Sequence, residues 1–203
     1  MTKLPDAINN LALGLGSLPG IGPKMANRLA IYLATNGSSL ATDLRNILAD
    51  VQEQIQVCEV CGNIGERQIC EVCADDQRDT SLLMVVETPM DLLQIEQSGE
   101  YHGRYFVLGR LISPLNGVGP GEISLDKFKS IVGDEKVREI ILALSPTVEG
   151  EATSLFLTNI ATEVCNASVS RLARGLPTGV GIEYLDKETI KGALEGRREY
   201  ARN

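Results

Sequence analysis

The stretch CEVCGNIGERQICEVC (58–73) decides how the chain is organised. Cys58 and Cys61 form one C-x2-C pair, and Cys70 and Cys73 form a second after eight intervening residues. Each pair spans a tight turn whose backbone N–H groups favour the bound sulfurs, so the four thiolates can take the corners of one Zn2+. Four thiolates leave no coordination position for water, and such a site holds structure without performing chemistry. The intervening GNIGERQI (62–69) is polar and glycine-bearing, with little core of its own, and needs the metal to order it. Two disulfides or four unrelated thiols are the alternatives, and paired C-x2-C at this spacing disfavours both.

At 203 residues the chain can form one large domain or two to three small ones. No apolar run approaches the ~20 residues a membrane helix needs. The start, MTKLPDAINNLAL, has no basic head, apolar stretch and small-residue cleavage site, so a cytoplasmic protein with reduced thiols is expected. Cys165 stands apart from the cluster and is expected as a small buried apolar residue in a helix. Net charge is −8, which argues against a nucleic-acid partner until its distribution is considered. Residues 1–49 carry Lys3, Lys24, Arg28 and Arg45 against Asp6 and Asp43, a balance of +2, so the remainder sums to −10. A slightly basic head on an acidic body could meet DNA with one part and a protein with the other.

Ahead of the cysteines, residues 5–15 place Ile8, Leu11, Ala12 and Leu15 on one helical face. SLPGIGPKMANRLAIYLA (17–34) then puts Gly20 and Gly22 around Ile21, with Pro23 placed to start a second helix. A third helix is expected from about Ser39 to Ile55, with Leu40, Leu44, Ile47, Val51 and Ile55 at helical spacing. Beyond the cysteines the pattern changes to strands at 82–86, 104–109, 139–144 and 168–173, with helices at 89–97, 124–132 and 150–165. This alternation predicts a parallel sheet covered on both faces. Residues 110–123 read as a loop, 171–186 as a loop returning the chain to an edge strand, and about Asp186 to Arg202 as a last helix.

Three groups of residues could carry function besides the cysteines. Gly20 and Gly22 let backbone approach another molecule, and Pro23 opens a helix whose free N–H groups can receive a phosphate oxygen. Lys24 and Arg28 lie four apart beside those donors, making a sequence-neutral phosphate clamp. A tight turn between packed helices with two solvated cations explains the pentapeptide equally well. LPGIGPK followed by a helix resembles the helix-hairpin-helix DNA-binding motif, and this favours DNA. The second group is Glu87, at the carboxyl end of the first sheet strand, with Asp91 one turn on; a carboxylate there resembles the metal-holding position of Toprim catalysts. Those catalysts also carry a D-x-D pair after a later strand, where this chain has Ser145-Pro146-Thr147 followed by Glu149 and Glu151. Two-metal chemistry therefore lacks its ligands, and Glu87 is expected to cap the next helix or meet a partner. Third, His102, the only histidine, sits in a polar stretch and reads as a surface residue. No phosphate loop, dinucleotide fingerprint or nucleophile elbow is present.

These pieces in this order resemble the RecR family of bacterial recombination mediators over nearly the whole chain. The resemblance is carried by SLPGIGPKMANRLA (17–30), the four cysteines, and VVETPMDLLQIEQSGEYHGRYFVLGRLISPLNGVGP (85–120). PTVEGEAT (146–153), SRLARGLPTGVGIEYLD (170–186) and a closing helix ending in GRR complete it. It implies an α/β multi-domain protein: a helix-hairpin-helix DNA-binding and oligomerisation domain (1–56), a four-Cys zinc finger (57–80), a degenerate Toprim parallel α/β domain (81–175) and a small C-terminal Walker B-like assembly segment (176–203). It implies no catalysis and one structural zinc. A ring-shaped tetramer, or a dimer, would encircle DNA and act with RecO, and in some bacteria RecF. Their joint task would be loading the recombinase RecA onto strands coated by single-strand-binding protein, in the cytoplasm at the nucleoid. Carried over, Gly20, Gly22, Lys24 and Arg28 would meet DNA, while Glu87, Asp91 and Glu149 would meet RecO. Two departures stand out: Arg110 replaces the second glycine of the usual VLGG, and Gly181-Ile182 occupies a position that is usually acidic. The competing readings are a metal-dependent nuclease or primase centred on Glu87, and a zinc-stabilised scaffold that binds only proteins.

Overall fold

A computed structural model describes residues 4–134 and 136–199; Lys3 of the charge count, and the predicted helix beyond Glu199, lie outside them. The chain divides into two compact units, Met1–Ile55 and Gln56–Asn203.

The first unit holds three helices, α1 (Asp6–Gly16), α2 (Pro23–Thr35) and α3 (Ser38–Gln54). Its interior is built from small side chains: Ala12 of α1 and Ala26 and Ala30 of α2 are buried, so the two helices approach closely. The turn between them closes with Ile21 N–H donating to the Leu18 carbonyl at 3.2 Å. Pro19 and Gly20 occupy its middle, and Gly20 has φ +82°, the conformation a type II turn demands there. Pro23 is the first residue of α2, where its missing N–H costs nothing. The predicted third helix is present, and its apolar stripe is uncovered. Leu40, Leu44, Ile47, Val51 and Ile55 are all exposed, with no covering element among the described residues of this unit.

The second unit opens with a two-stranded ribbon, β1 (Gln56–Val57) antiparallel to β2 (Ile64–Gly65), followed by a one-turn helix α4 (Glu71–Ala74). Then come β3 (Asp79–Val86), α5 (Pro89–Ser98), β4 (Gly103–Val107), α6 (Leu125–Val132), β5 (Glu139–Ala143), α7 (Val148–Val164), β6 (Ser168–Arg171) and α8 (Lys187–Glu195). The four long strands form one sheet in the order β4-β3-β5-β6, parallel throughout. Two apolar clusters cover its faces. Leu83, Val85 and Phe106 pack on one side with Phe128 and Val132 of α6 and Leu157, Ile160 and Ala161 of α7. On the other, Met84, Val86, Tyr105 and Val107 meet Leu92 of α5, with Val72 of the ribbon's helix packed against them. Alternate residues of β3 thus feed opposite cores, as the pleat requires.

Two expectations are corrected. No strand follows the 171–186 segment among the described residues; it contains a 3-10 turn at Ile182–Tyr184 and leads into α8, so β6 is itself an edge strand, opposite β4. Cys165 is only half-buried and sits just past the end of α7, its thiol donating to the Ala161 carbonyl at 3.3 Å.

The start of α7 leaves no room for a side chain at Gly150. Thr147 caps it by accepting the Gly150 N–H at 3.1 Å, and a Cβ on Gly150 would overlap the Ser145 carbonyl oxygen. Gly150→Ala is therefore expected to lower unfolding free energy by about 1–3 kcal/mol. Gly119→Ala, where a Cβ meets nothing within 4 Å, should stay within about 0.5 kcal/mol. Paired denaturant titrations measure the difference.

Candidate functional site

The four cysteine sulfurs converge, every pair within 4.8 Å, and the Cys61 and Cys70 sulfurs stand 3.6 Å apart. Four sulfurs at about 2.3 Å around a tetrahedral zinc are about 3.8 Å from one another, so the donor set fits the ion in kind, number and spacing. The backbone supplies the expected support: Asn63 N–H donates to Cys61 Sγ and Cys70 N–H to Cys58 Sγ, each at 3.4 Å. The four thiols also shift one another's ionisation in opposite directions. A hydrogen bond from Cys73 carries the Cys61 pKa down to about 6, against burial and with help from the Asn63 amide. The same bond, and burial, push Cys73 upward; burial does so for Cys70.

The ribbon is fastened to the sheet at two points that the sequence does not reveal. Val107 N–H, on the open edge of β4, donates to the Cys61 carbonyl at 2.7 Å. Gly62, at φ +78°, passes so near that a Cβ would lie 2.7 Å from the Val107 oxygen. Below this, Arg78 leaves the ribbon and enters a nearly closed network. Its guanidinium forms a two-pronged ion pair with Glu96 of α5, donates to the Gly103 carbonyl at 3.0 Å and lies over the Tyr105 ring. Tyr105 donates its hydroxyl to the same Glu96 at 2.7 Å. Burial works to raise the Glu96 carboxyl, but the bonds from Arg78 and Tyr105 and the guanidinium charge outweigh it and hold it below 4.5. No spacing rule links positions 78, 96 and 105, so the network has no sequence signature.

At the carboxyl ends of the strands, Glu87 does not cap α5. Its carboxylate accepts the Ser145 hydroxyl at 2.9 Å, joining the ends of β3 and β5. The cap is Thr88, and Asp91 completes a capping box: its carboxylate accepts Thr88 N–H at 2.8 Å and the Thr88 hydroxyl at 2.7 Å. The T-x-x-D spacing at 88–91 carries that signal and could have been read. Glu149 lies half-buried in the first turn of α7 with its carbonyl accepting from Thr153. Glu151 is committed elsewhere, paired with Arg171 at the end of β6 and with Arg174 just beyond it. His102 is exposed, as expected. Arg110 pairs with Glu122 at 3.5 Å across the glycine-rich loop.

In the first unit, Gly22 precedes α2 in extended conformation and no side chain caps the helix. Gly22, Pro23, Lys24, Met25 and Arg28 line an open cavity of about 330 Å3. Lys24 and Arg28 are exposed and make no ion pair among the described residues. The turn thus brings together two cations and a helix N-terminus, the geometry of an anion site.

A folded hairpin of helices, a four-sulfur ribbon and a parallel sheet define a Toprim-containing, zinc-ribbon protein with a helix-hairpin-helix head. Residues 8–52 match the RecR helix-hairpin-helix family, 55–75 the RecR four-cysteine zinc finger domain, 81–173 the Toprim domain and 175–198 the RecR C-terminal family. The chain is 44% identical to the recombination protein RecR of Acidothermus cellulolyticus, over 95% of this chain and 96% of that one. Identity is 46% to that of Bifidobacterium longum (95% and 96%) and 42% to that of Hahella chejuensis (98% and 99%). The chain belongs to the RecR family, and its four cysteines hold one structural zinc.

Two outcomes follow from this arrangement. A strong chelator added to the zinc-loaded protein should lower the Tm and loosen residues 58–73; an unchanged melting curve after metal removal would refute the structural role. Separately, because the Glu96 pKa is depressed on folding, its stabilisation is complete above 4.5 and declines as pH falls below that value. Denaturant titrations stepped downward through pH 4.5 should show this decline in the wild type, and Glu96→Gln should lack that component while losing about 1–3 kcal/mol at neutral pH.

Proposed function

We propose that the protein is a non-catalytic mediator of recombinational DNA repair, a clamp that grips DNA without reading its sequence. It acts with RecO, and with RecF where that protein is present, to load RecA onto single strands coated by single-strand-binding protein. The observation that carries the reading is the start of α2, where no side chain caps the helix and Lys24 and Arg28 make no ion pair among the described residues. Gly20 and Gly22 keep the turn low, so a phosphate backbone can reach these donors.

Several further observations support the same account. Relatives along the whole chain are recombination proteins by name. Ser145 stands where catalytic Toprim domains carry an acid, and its hydroxyl occupies Glu87, so the strand ends are shaped for contact more than for two-metal chemistry. We assign Glu87, Asp91 and Glu149, three half-buried acids following β3 and β5, to contact with a basic partner such as RecO. The exposed apolar stripe of α3 is of the kind a second copy covers, consistent with a homo-oligomer that is a tetrameric ring or a dimer. We assign domains at 1–56, 57–80, 81–175 and 176–203. No helix among the described residues is long and apolar enough to cross a membrane, consistent with a cytoplasmic, nucleoid-associated protein.

The test is a titration of labelled gapped DNA with zinc-loaded protein in low salt with magnesium, each sample run on native and denaturing gels. A mobility shift with intact strands is expected; shortened strands would establish a nuclease instead. The double change Lys24→Glu, Arg28→Glu should weaken binding to all sequences alike and reduce the salt dependence by roughly two phosphate contacts per protomer. A loss confined to particular sequences would contradict the phosphate clamp.

A further inference from the structure

The four zinc ligands are not equally sheltered. Cys58 and Cys61 are fully buried and Cys70 is 3% exposed, whereas Cys73 is half-buried. Cys73 also forms part of the wall of a cavity of about 210 Å3, together with Val60, Thr80, Arg104, Tyr105 and Ser130. Arg104 and Ser130 are exposed, so the cavity has a polar rim at the surface. Its volume exceeds by several times the roughly 30 Å3 share of one water, leaving ample room for a small polar oxidant. A zinc-bound sulfur retains thiolate character, and thiolates are what peroxides oxidise.

We infer that Cys73 is the peroxide-reactive corner of the zinc site, and that its oxidation releases the metal and unseats the ribbon from the open edge of β4. In the first step the Cys73 thiolate attacks one peroxide oxygen, the O–O bond breaks, and the departing hydroxide takes a proton to become water. Sulfur has given up two electrons and is a sulfenic acid. A second thiolate of the cluster, within 4.8 Å, then attacks the sulfenic sulfur, and a second hydroxide leaves and is protonated. Two thiolates, one peroxide and two protons become one disulfide and two waters. Two thiolates remain, too few to hold the ion as a closed structural site.

Loss of the metal reaches the sheet through bonds already described. Cys61 lends its carbonyl to Val107 N–H, and Gly62 packs against the Val107 oxygen. The next two amides, Leu108 and Gly109, hold the carbonyls of Val86 and Glu87 at 3.0 and 2.8 Å. The zinc turn therefore braces the end of β4, which in turn braces the end of β3. An unbraced β4 presents unpaired amides along a free sheet edge.

The experiment uses the zinc-loaded full chain, hydrogen peroxide below stoichiometry, a zinc-indicator dye, dimedone trapping with peptide mass spectrometry, and hydrogen exchange over Arg104–Arg110. The expected result is first oxidation at Cys73 among the cluster cysteines and zinc release at the same rate. Faster exchange at Val107, Leu108 and Gly109 should accompany it. Cys165, outside the cluster, is the internal reference for ordinary thiol reactivity. Ser130→Phe, which puts bulk on the exposed rim, should slow zinc release about threefold or more without altering the Tm. First attack at Cys58, Cys61 or Cys70, or attack spread evenly over the four, would overturn the proposal. So would oxidation confined to Cys165 with zinc retained, zinc release that leaves the Val107 amide protected, or an unchanged release rate in Ser130→Phe.

Discussion

A parallel sheet has two faces to bury, and the helices of the second unit do not cover them equally. On the side of Leu83 and Val85, α6 and α7 supply Phe128, Val132, Leu157 and Ile160. On the side of Met84 and Val86 there is α5 with Leu92 and Ile95, and further cover comes from Tyr101 and from Val72, carried by the one-turn helix between Cys70 and the sheet. A helix of four residues cannot hold itself in water. It is held because Cys70 and Cys73 bracket Val72 and are tied to the other two cysteines. The metal therefore does more than close a surface loop, since it sets in place a side chain that completes the second core.

The Arg78–Glu96–Tyr105 network extends that role. Charges removed from water are stabilising only when their partners satisfy them, and here one carboxylate receives a guanidinium and a phenol while the guanidinium also reaches a backbone carbonyl. Such a network tolerates one relative placement of the ribbon, α5 and β4 and penalises others. Apolar packing at Val72 supplies attraction, and the ionic network supplies register.

Much of this architecture is legible in the order of the residues alone. The strand-helix alternation from 82 onward is a strong signal because buried strands such as LLMVV cannot alternate polar and apolar residues, and every strand of the sheet lies where that pattern places it. The cysteine spacing reveals the metal, and LPGIG the turn at Gly20. What stays hidden has physical reasons. The β1–β2 ribbon is two residues per strand, too short for any period, and its Val57 and Ile64 are exposed. The stripe on α3 has true helical spacing, but spacing tells which residues share a face and not whether the same chain covers it. Position alone assigns Glu87 to the start of α5, yet Thr88 and Asp91 already form a reciprocal pair there, and Ser145, 58 positions away, takes up the glutamate. Long-range polar partners of this kind leave no trace in local sequence.

The order of the cysteines along the chain has a consequence for biogenesis. All four precede the first residue of β3, so the ribbon is synthesised before any strand of the sheet. Chains emerging from the ribosome fold from the amino end at about 5–20 residues per second. A ribbon that has already captured its ion waits as a finished template when β4 appears, with Cys61 offering its carbonyl to the new edge. A chain made in metal scarcity reaches the same point with that edge bare. The order of synthesis thus lets the ribbon close around its ion before the strand edge that it covers has been made.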